Sequence, residues 1–115
     1  MNNKTIKKDD SSLTSKMLSL FNENSNKVFT HKEIIDKILE TYPGTNSTSV
    51  IPSDYCYNIT NKGISFKTHL FQFLGAGEYK CLGKNYPYSG DILWKDEKVG
   101  EWENGDYNLW KDPRK

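Results

Sequence analysis

"VIPSDYCYN", Val50 to Asn58, places a proline, an acid, a cysteine and two tyrosines within nine residues. Its reading decides the fold. If a helix starts near Ser47 to Ser49, Pro52 falls in or close to its first turn, where a missing N–H costs little, and "NKG" at 61–63 offers a stop. Helical phasing then turns Ile51, Tyr55 and Ile59 inward and leaves Ser49, Ser53, Cys56, Tyr57 and Thr60 on a polar outer face. On this reading the stretch is the third helix of the chain, with the surface chemistry of a recognition helix.

The flanking segments are easier to place. Upstream, Leu13, Met17, Leu18, Leu20 and Phe21 recur at helical spacing, and "NENSN" ends the pattern. Thr30 and Glu33 have the spacing of a capping box, and Phe29 with Ile34 that of a hydrophobic staple. Ile34, Ile35, Ile38, Leu39 and Tyr42 continue as one apolar stripe until Pro43-Gly44 stops it. A short strand is expected at Val28–Thr30. Downstream, His69 to Leu74 and Glu78 to Leu82 are aromatic and apolar, joined by Gly75-Ala76-Gly77, which supplies the positive φ of a tight hairpin.

Helix, strand, helix, turn, helix and hairpin is the order of a winged helix-turn-helix, so the expected fold class is α+β, with three helices and a β-hairpin wing. Residues 91–115 differ in character. "DILWKDEKVGEWENGDYNLWK" holds three short strand-like runs separated by "DEK" and by "NG", which reads as a small antiparallel extension built on Trp94, Trp102, Tyr107 and Trp110. The expected division is a flexible polar arm at 1–11, a winged-helix-like domain at 12–90 and the Trp-rich extension at 91–115.

Composition narrows the function. Mean hydropathy is -0.80, no apolar run approaches the roughly 18 residues needed to span a bilayer, and "MNNKTIKKDDSS" has no apolar stretch behind it that would make a secretory signal. A cytoplasmic protein is expected. Cys56 and Cys81 stand 25 positions apart with no CxxC pair, which suits reduced thiols better than a disulfide framework. Net charge is only +1, so the charge distribution matters more than its sum. Residues 41–90 carry four lysines against Asp54 and Glu78 alone, whereas residues 91–115 carry five basic residues against seven acids. The acid-poor middle is where a polyanion would meet least repulsion.

Two blocks, "IPSDYCYN" at 51–58 and "LGKNYPYSG" at 82–90, resemble a poorly characterised winged-helix-like domain family of phage and bacterial proteins, found alone or beside HNH-type nuclease segments. The likeness spans about Thr30 to Ile92. It implies a DNA-associated role in phage, mobile-element or restriction biology. It does not imply catalysis, because the only histidines are His31 and His69.

Candidate chemistry is weighed residue by residue. Ser49, Ser53, Tyr57 and Thr60 would face a DNA groove, with Lys62, Lys67, Lys80 and Lys84 on phosphates. The plain alternative is a solvated helix face with its tyrosines packed for structure. Asp54 and Asn58 fit local structural bonding better than base reading. "GAG" at 75–77 is better explained as a turn than as a phosphate cradle. "NYPYSG", Asn85 to Gly90, could stack an unpaired base, although anchoring the extension is the more ordinary task. Cys56, Cys81, His31 and His69 lack zinc-motif spacing. Cys56 with His69 has the composition of a nucleophilic dyad, but a cysteine without a glycine turn beside it is more often packing.

The expectation is therefore a non-enzymatic protein that binds double-stranded DNA, with no cofactor, metal or catalytic residue and no membrane association, able to gain affinity as a homodimer. The alternative is a small inhibitor or adaptor of anti-defence type. It would bind a host nuclease or polymerase through the winged-helix surface or the acidic aromatic extension.

Overall fold

A computed structural model of the chain describes residues 12–61 and 66–114. The arm expected at 1–11 and Lys62 lie outside the described residues. Helix α1 spans Leu13–Phe21 and is capped by Ser12, whose hydroxyl accepts the Ser15 N–H at 3.1 Å. Strand β1 is Val28–Thr30 and helix α2 is His31–Thr41. Thr30 accepts the Glu33 N–H at 3.1 Å, and the Glu33 carboxylate accepts the Thr30 N–H at 2.8 Å, so the capping box is complete. Met17 and Phe21 of α1 and Ile34 and Ile38 of α2 are buried, on the stripes that the 3.6-residue period requires.

Strands β2, Phe71–Gly75, and β3, Glu78–Cys81, form a hairpin that reverses through positive φ at Gly75, Ala76 and Gly77. With β1 they make an antiparallel sheet in the order β1-β3-β2. A second antiparallel sheet, in the order β4-β5-β6, is built from Gly90–Trp94, Glu97–Glu103 and Asp106–Leu109. Its two turns, Lys95-Asp96 and Asn104-Gly105, hold both central residues at positive φ, the geometry that matches the twist of paired strands. The first turn therefore overlaps the expected "DEK" only at Asp96, and Glu97 and Lys98 belong to β5.

The winged helix-turn-helix expectation is overturned. Among the described residues there are two α-helices and two three-stranded antiparallel sheets, not three helices with one hairpin wing. Where the third helix was expected, the chain makes two 3-10 turns, Ser47–Ser49 and Pro52–Tyr55, separated by extended Val50 and Ile51. The cause lies in the proline. Its ring clashes with a helical residue before it, and Ile51 accordingly sits at φ -120°, ψ 93°. The helical run is cut in two, and each piece is too short to set a 3.6-residue phase.

Inward Tyr55 and outward Ser49 hold, but the assignments of Ile51, Cys56, Tyr57 and Thr60 fail with the helix. Ile51 is 43% exposed, while Cys56 and Tyr57 are each only 1% exposed. Cys56 is extended, and the segment it opens, through bends at Tyr57 and Asn58 to Ile59, serves as a joint. Cys56 bridges Phe71 and Ile59 bridges Leu93, both in parallel sense. Asn58 completes the link. Its side-chain amide donates to the Phe73 carbonyl and accepts the Phe73 N–H, both at 2.8 Å, while its main-chain carbonyl accepts the Leu93 N–H at 3.0 Å. One residue thus pairs with β2 through its side chain and with β4 through its backbone.

Two apolar clusters follow. The first gathers Met17, Phe21, Ile34, Ile38, Tyr55, Cys56 and Phe71 with their neighbours between the helices and the first sheet. The second gathers Tyr57, Phe66, Leu82, Tyr88, Ile92, Val99 and Trp102 over the second sheet. Of the four aromatics expected to carry the extension, Trp102 is buried and Trp94 half-buried, but Tyr107 and Trp110 are 46% and 53% exposed.

Candidate functional site

Tyr57 lies at the centre of the second cluster. Its ring stacks on Tyr88 at 5.3 Å and meets Trp102 edge-on at 5.0 Å. Its hydroxyl donates to the Gly83 carbonyl at 2.6 Å and accepts the Tyr86 N–H at 3.0 Å. Its backbone carbonyl accepts the Trp102 indole N–H at 2.7 Å. Burial raises the phenol pKa, so the hydroxyl stays a neutral donor. These bonds hold the loop after β3 over the joint.

That loop is clamped on its other side by Gly83. At φ +81° it passes so close to α1's exit that an added Cβ would stand 2.6 Å from the Asn24 nitrogen and the Glu23 carbonyl carbon. The Lys84 N–H then donates to the Asn22 carbonyl at 3.1 Å. Lys84, Asn85 and Tyr86 are consequently presented at a fixed place. Facing them is the segment that leads into β2, carrying Lys67, Thr68 and His69.

Between these segments lies a cleft of about 290 Å³, with Leu18, Tyr57, Trp102 and Gly105 completing its lining. Two lysines and no carboxylate contribute to that lining, and neither lysine forms an ion pair among the described residues. His69 forms part of it and is 9% exposed. Rings surround the imidazole: Phe66 at 4.2 Å, Trp102 at 5.0 Å, Tyr57 at 5.5 Å and Tyr107 at 5.8 Å between centroids. Burial among them lowers its pKa to about 4, so it is neutral at pH 7. Its Nε2 is buried without a hydrogen-bond partner among the described residues, an arrangement that costs about 1–3 kcal/mol when nothing offsets it.

The expected site residues divide accordingly. Tyr57, Lys67 and Lys84 come together at the cleft. Ser49 is exposed on the first 3-10 turn, and Ser53 is half-buried on the second. Thr60 is buried, not groove-facing, and its hydroxyl accepts from the Arg114 guanidinium at 3.2 Å. Lys80 stands on β3 opposite Val28 and Gln72, outside the cleft. Asn85 opens the "NYPYSG" segment that the sequence offers for base stacking, whereas His69 is expected as a zinc ligand or dyad partner at most and Trp102 chiefly as core of the extension. The signal for His69 was a polar residue opening an otherwise aromatic strand run.

The other candidates resolve locally. Asp54 accepts the Asn61 amide at 2.7 Å, and burial raises its pKa. The Cys56 thiol donates to the Pro52 carbonyl at 3.6 Å, and burial followed by the nearby Asp54 charge pushes its pKa well up, which disfavours the thiolate. Cys56 belongs to the first cluster, and His69 packs against the rings of the second. No three His, Cys, Asp or Glu side chains among the described residues gather as metal ligands. No helix among the described residues is long and apolar enough to cross a membrane.

The chain belongs to the family described as "Domain of unknown function (DUF7225)", whose pattern matches residues 12–109. It is also 45% identical over 86 residues to the "Uncharacterized protein YnaC" of Bacillus subtilis (strain 168), across 70% of this chain and 32% of the relative. The chain thus spans about a third of that relative's length. No solved structure gives a significant match. The resemblance to a poorly characterised bacterial family holds at that level, and the match brings no winged-helix relationship and no nuclease neighbour with it.

Proposed function

We propose that this chain is a non-enzymatic nucleic-acid-binding domain whose contact surface is the cleft between Lys67 and Lys84. The observation that carries this reading is the cleft's composition: two lysines without an ion pair among the described residues and no carboxylate in the described lining, beside the half-buried ring of Tyr86. Cations beside stackable rings are the combination that holds a phosphate backbone with its bases. A DNA-associated role in a phage, mobile-element or defence setting is what the sequence resemblance adds. Duplex reading by a recognition helix is not carried forward, because that helix is absent.

The test is a mobility-shift titration at low salt with duplex and single-stranded oligonucleotides. Lys67→Ala with Lys84→Ala should weaken binding and reduce the slope of log K against log salt by about 1.4 for single strands, from about 0.7 per phosphate contact. Lys80→Ala, outside the cleft, should leave both unchanged. Binding that ignores the Lys67 and Lys84 changes, or that is absent at low salt, overturns the reading.

A second reading is favoured by a separate observation. Trp110 and Tyr107 are half-exposed within the acidic segment 91–115, a composition that suits a protein partner more than a polyanion. Capture of a host protein that survives nuclease treatment, and is lost with Trp110→Ala, would support it.

A further inference from the structure

We propose that the cleft seats one unpaired nucleobase of a single strand, with its ring against Tyr86 and its polar edge toward Nε2 of His69. This rests on the nucleic-acid reading above and goes further, because phosphate contacts alone require no cavity. Three observations carry it. The volume, about 290 Å³, lies at the small end of ligand pockets, which run from about 300 to 1,000 Å³, and so suits one small planar group. Of the aromatic lining residues, Tyr86 is half-buried and can offer a face to a π-system, while Trp102 is buried and packed against His69 and Tyr107. His69, one of the lining residues, is more than nine-tenths buried, and its Nε2 lies covered beneath the lining with no hydrogen-bond partner among the described residues.

Each feature is hard to explain by packing alone. A leucine or phenylalanine at position 69 would fill the ring cluster without leaving a buried nitrogen unbonded. A neutral imidazole gives or accepts one hydrogen bond without adding charge, which matches the polar edge of a base rather than a phosphate. Lys67 and Lys84 line the same cleft and would meet the phosphates attached to a seated base. Because Nε2 is covered by its ring neighbours, seating a base shifts Trp102 against His69, and both residues become reporters.

The experiment uses the full chain at low salt with a single-stranded decamer, the same decamer with abasic sites throughout, and the free nucleoside monophosphates. Binding is read by tryptophan emission and by the imidazole nitrogen resonances of His69, which has only His31 beside it as a second histidine. The intact decamer should bind at least about tenfold more tightly than the abasic one, as loss of one stacked base implies, and should move the His69 Nε2 resonance. His69→Phe and Tyr86→Ala should each lower affinity by about tenfold with the salt slope unchanged.

Equal affinity for intact and abasic decamers, or a His69 resonance that stays still on binding, overturns the inference while the phosphate contacts stand. Free monophosphates binding as tightly as the decamer also overturn it, in favour of a free nucleotide. Failure of every probe to bind removes both readings together. Because the resonance is read on the unaltered chain, the result does not depend on either variant folding.

Discussion

The Trp102 indole N–H donates to the backbone carbonyl of Tyr57 at 2.7 Å, so the last third of the chain is bonded directly to the joint between the sheets. Tyr57 answers with its own hydroxyl, which holds Gly83 and Tyr86. Removing that hydroxyl leaves a carbonyl and an N–H without their partner. Tyr57→Phe should cost about 1–3 kcal/mol in urea unfolding, the range for leaving buried polar groups unpaired. It should also weaken ligand binding, since Tyr86 loses its tether. A variant as stable as the parent would show that the loop is held by other contacts.

Asn58 imitates a strand residue with its side chain. Asn58→Asp keeps the shape and the acceptor but cannot donate to the Phe73 carbonyl, and Asn58→Ala loses both bonds. A loss of about 2 kcal/mol is expected for alanine, on the order of 1 kcal/mol per bond. Hydrogen exchange should accelerate at Phe73 and Leu93 together. Acceleration at only one of them would mean that the two sheets open independently.

Two glycines with similar backbone angles separate conformational strain from collision. Gly83, at φ +81°, faces backbone atoms at 2.6 Å, whereas Gly75, at φ +92°, has nothing within 4 Å of an added Cβ. Gly75→Ala should therefore cost only the left-handed conformation, about 1–2 kcal/mol. Gly83→Ala should cost well beyond that, and a midpoint shift no larger than that of Gly75→Ala would contradict the close approach to Asn24.

His69 gives stability a pH dependence of definite sign. Its folded pKa is about 4 against 6.5 for the free side chain, so between those values the unfolded chain binds the extra proton. Stability should fall as pH is lowered from 6.5 toward 4, by at most about 1.4 kcal/mol per pH unit, and level off below 4. Above pH 6.5 this residue adds no slope. Unfolding curves of His69→Phe across the same range should lack this component. An unchanged slope in that variant would assign the dependence to other groups.

Cys56 and Cys81 both pair with Phe71, one on each side. Residues two strands apart are separated by about 9–10 Å, beyond the roughly 7 Å that a disulfide tolerates. Both thiols are buried and free. Mild oxidation should leave the chain without an internal disulfide, and thiol labelling should proceed at the rate of unfolding. Rapid labelling of Cys56 in native buffer would count against its burial.

Several elements are legible in the sequence alone. The capping box at Thr30 and Glu33, the stripe through Ile34 and Ile38, and the Asn104-Gly105 turn each depend on residues within four positions of one another. Such signals are complete in the local sequence. The candidate site was legible only in part. Lys67 and Lys84 were named for their charge, but their shared cleft depends on Gly83 touching Asn24 and on Tyr57 reaching Tyr86, contacts that no spacing rule encodes.

"VIPSDYCYN" shows where that boundary falls. Sequence alone determined that it carries a proline, two buriable tyrosines and an asparagine able to bond backbone. It did not determine their directions, because a helix and an extended segment distribute the same residues differently. Tertiary structure decided the matter. Pro52 broke the helical run, and β2 and β4 supplied backbone partners for the segment after it. Ile51 was left in water, Tyr57 was drawn inward, and an expected reading surface became the joint on which the cleft is built.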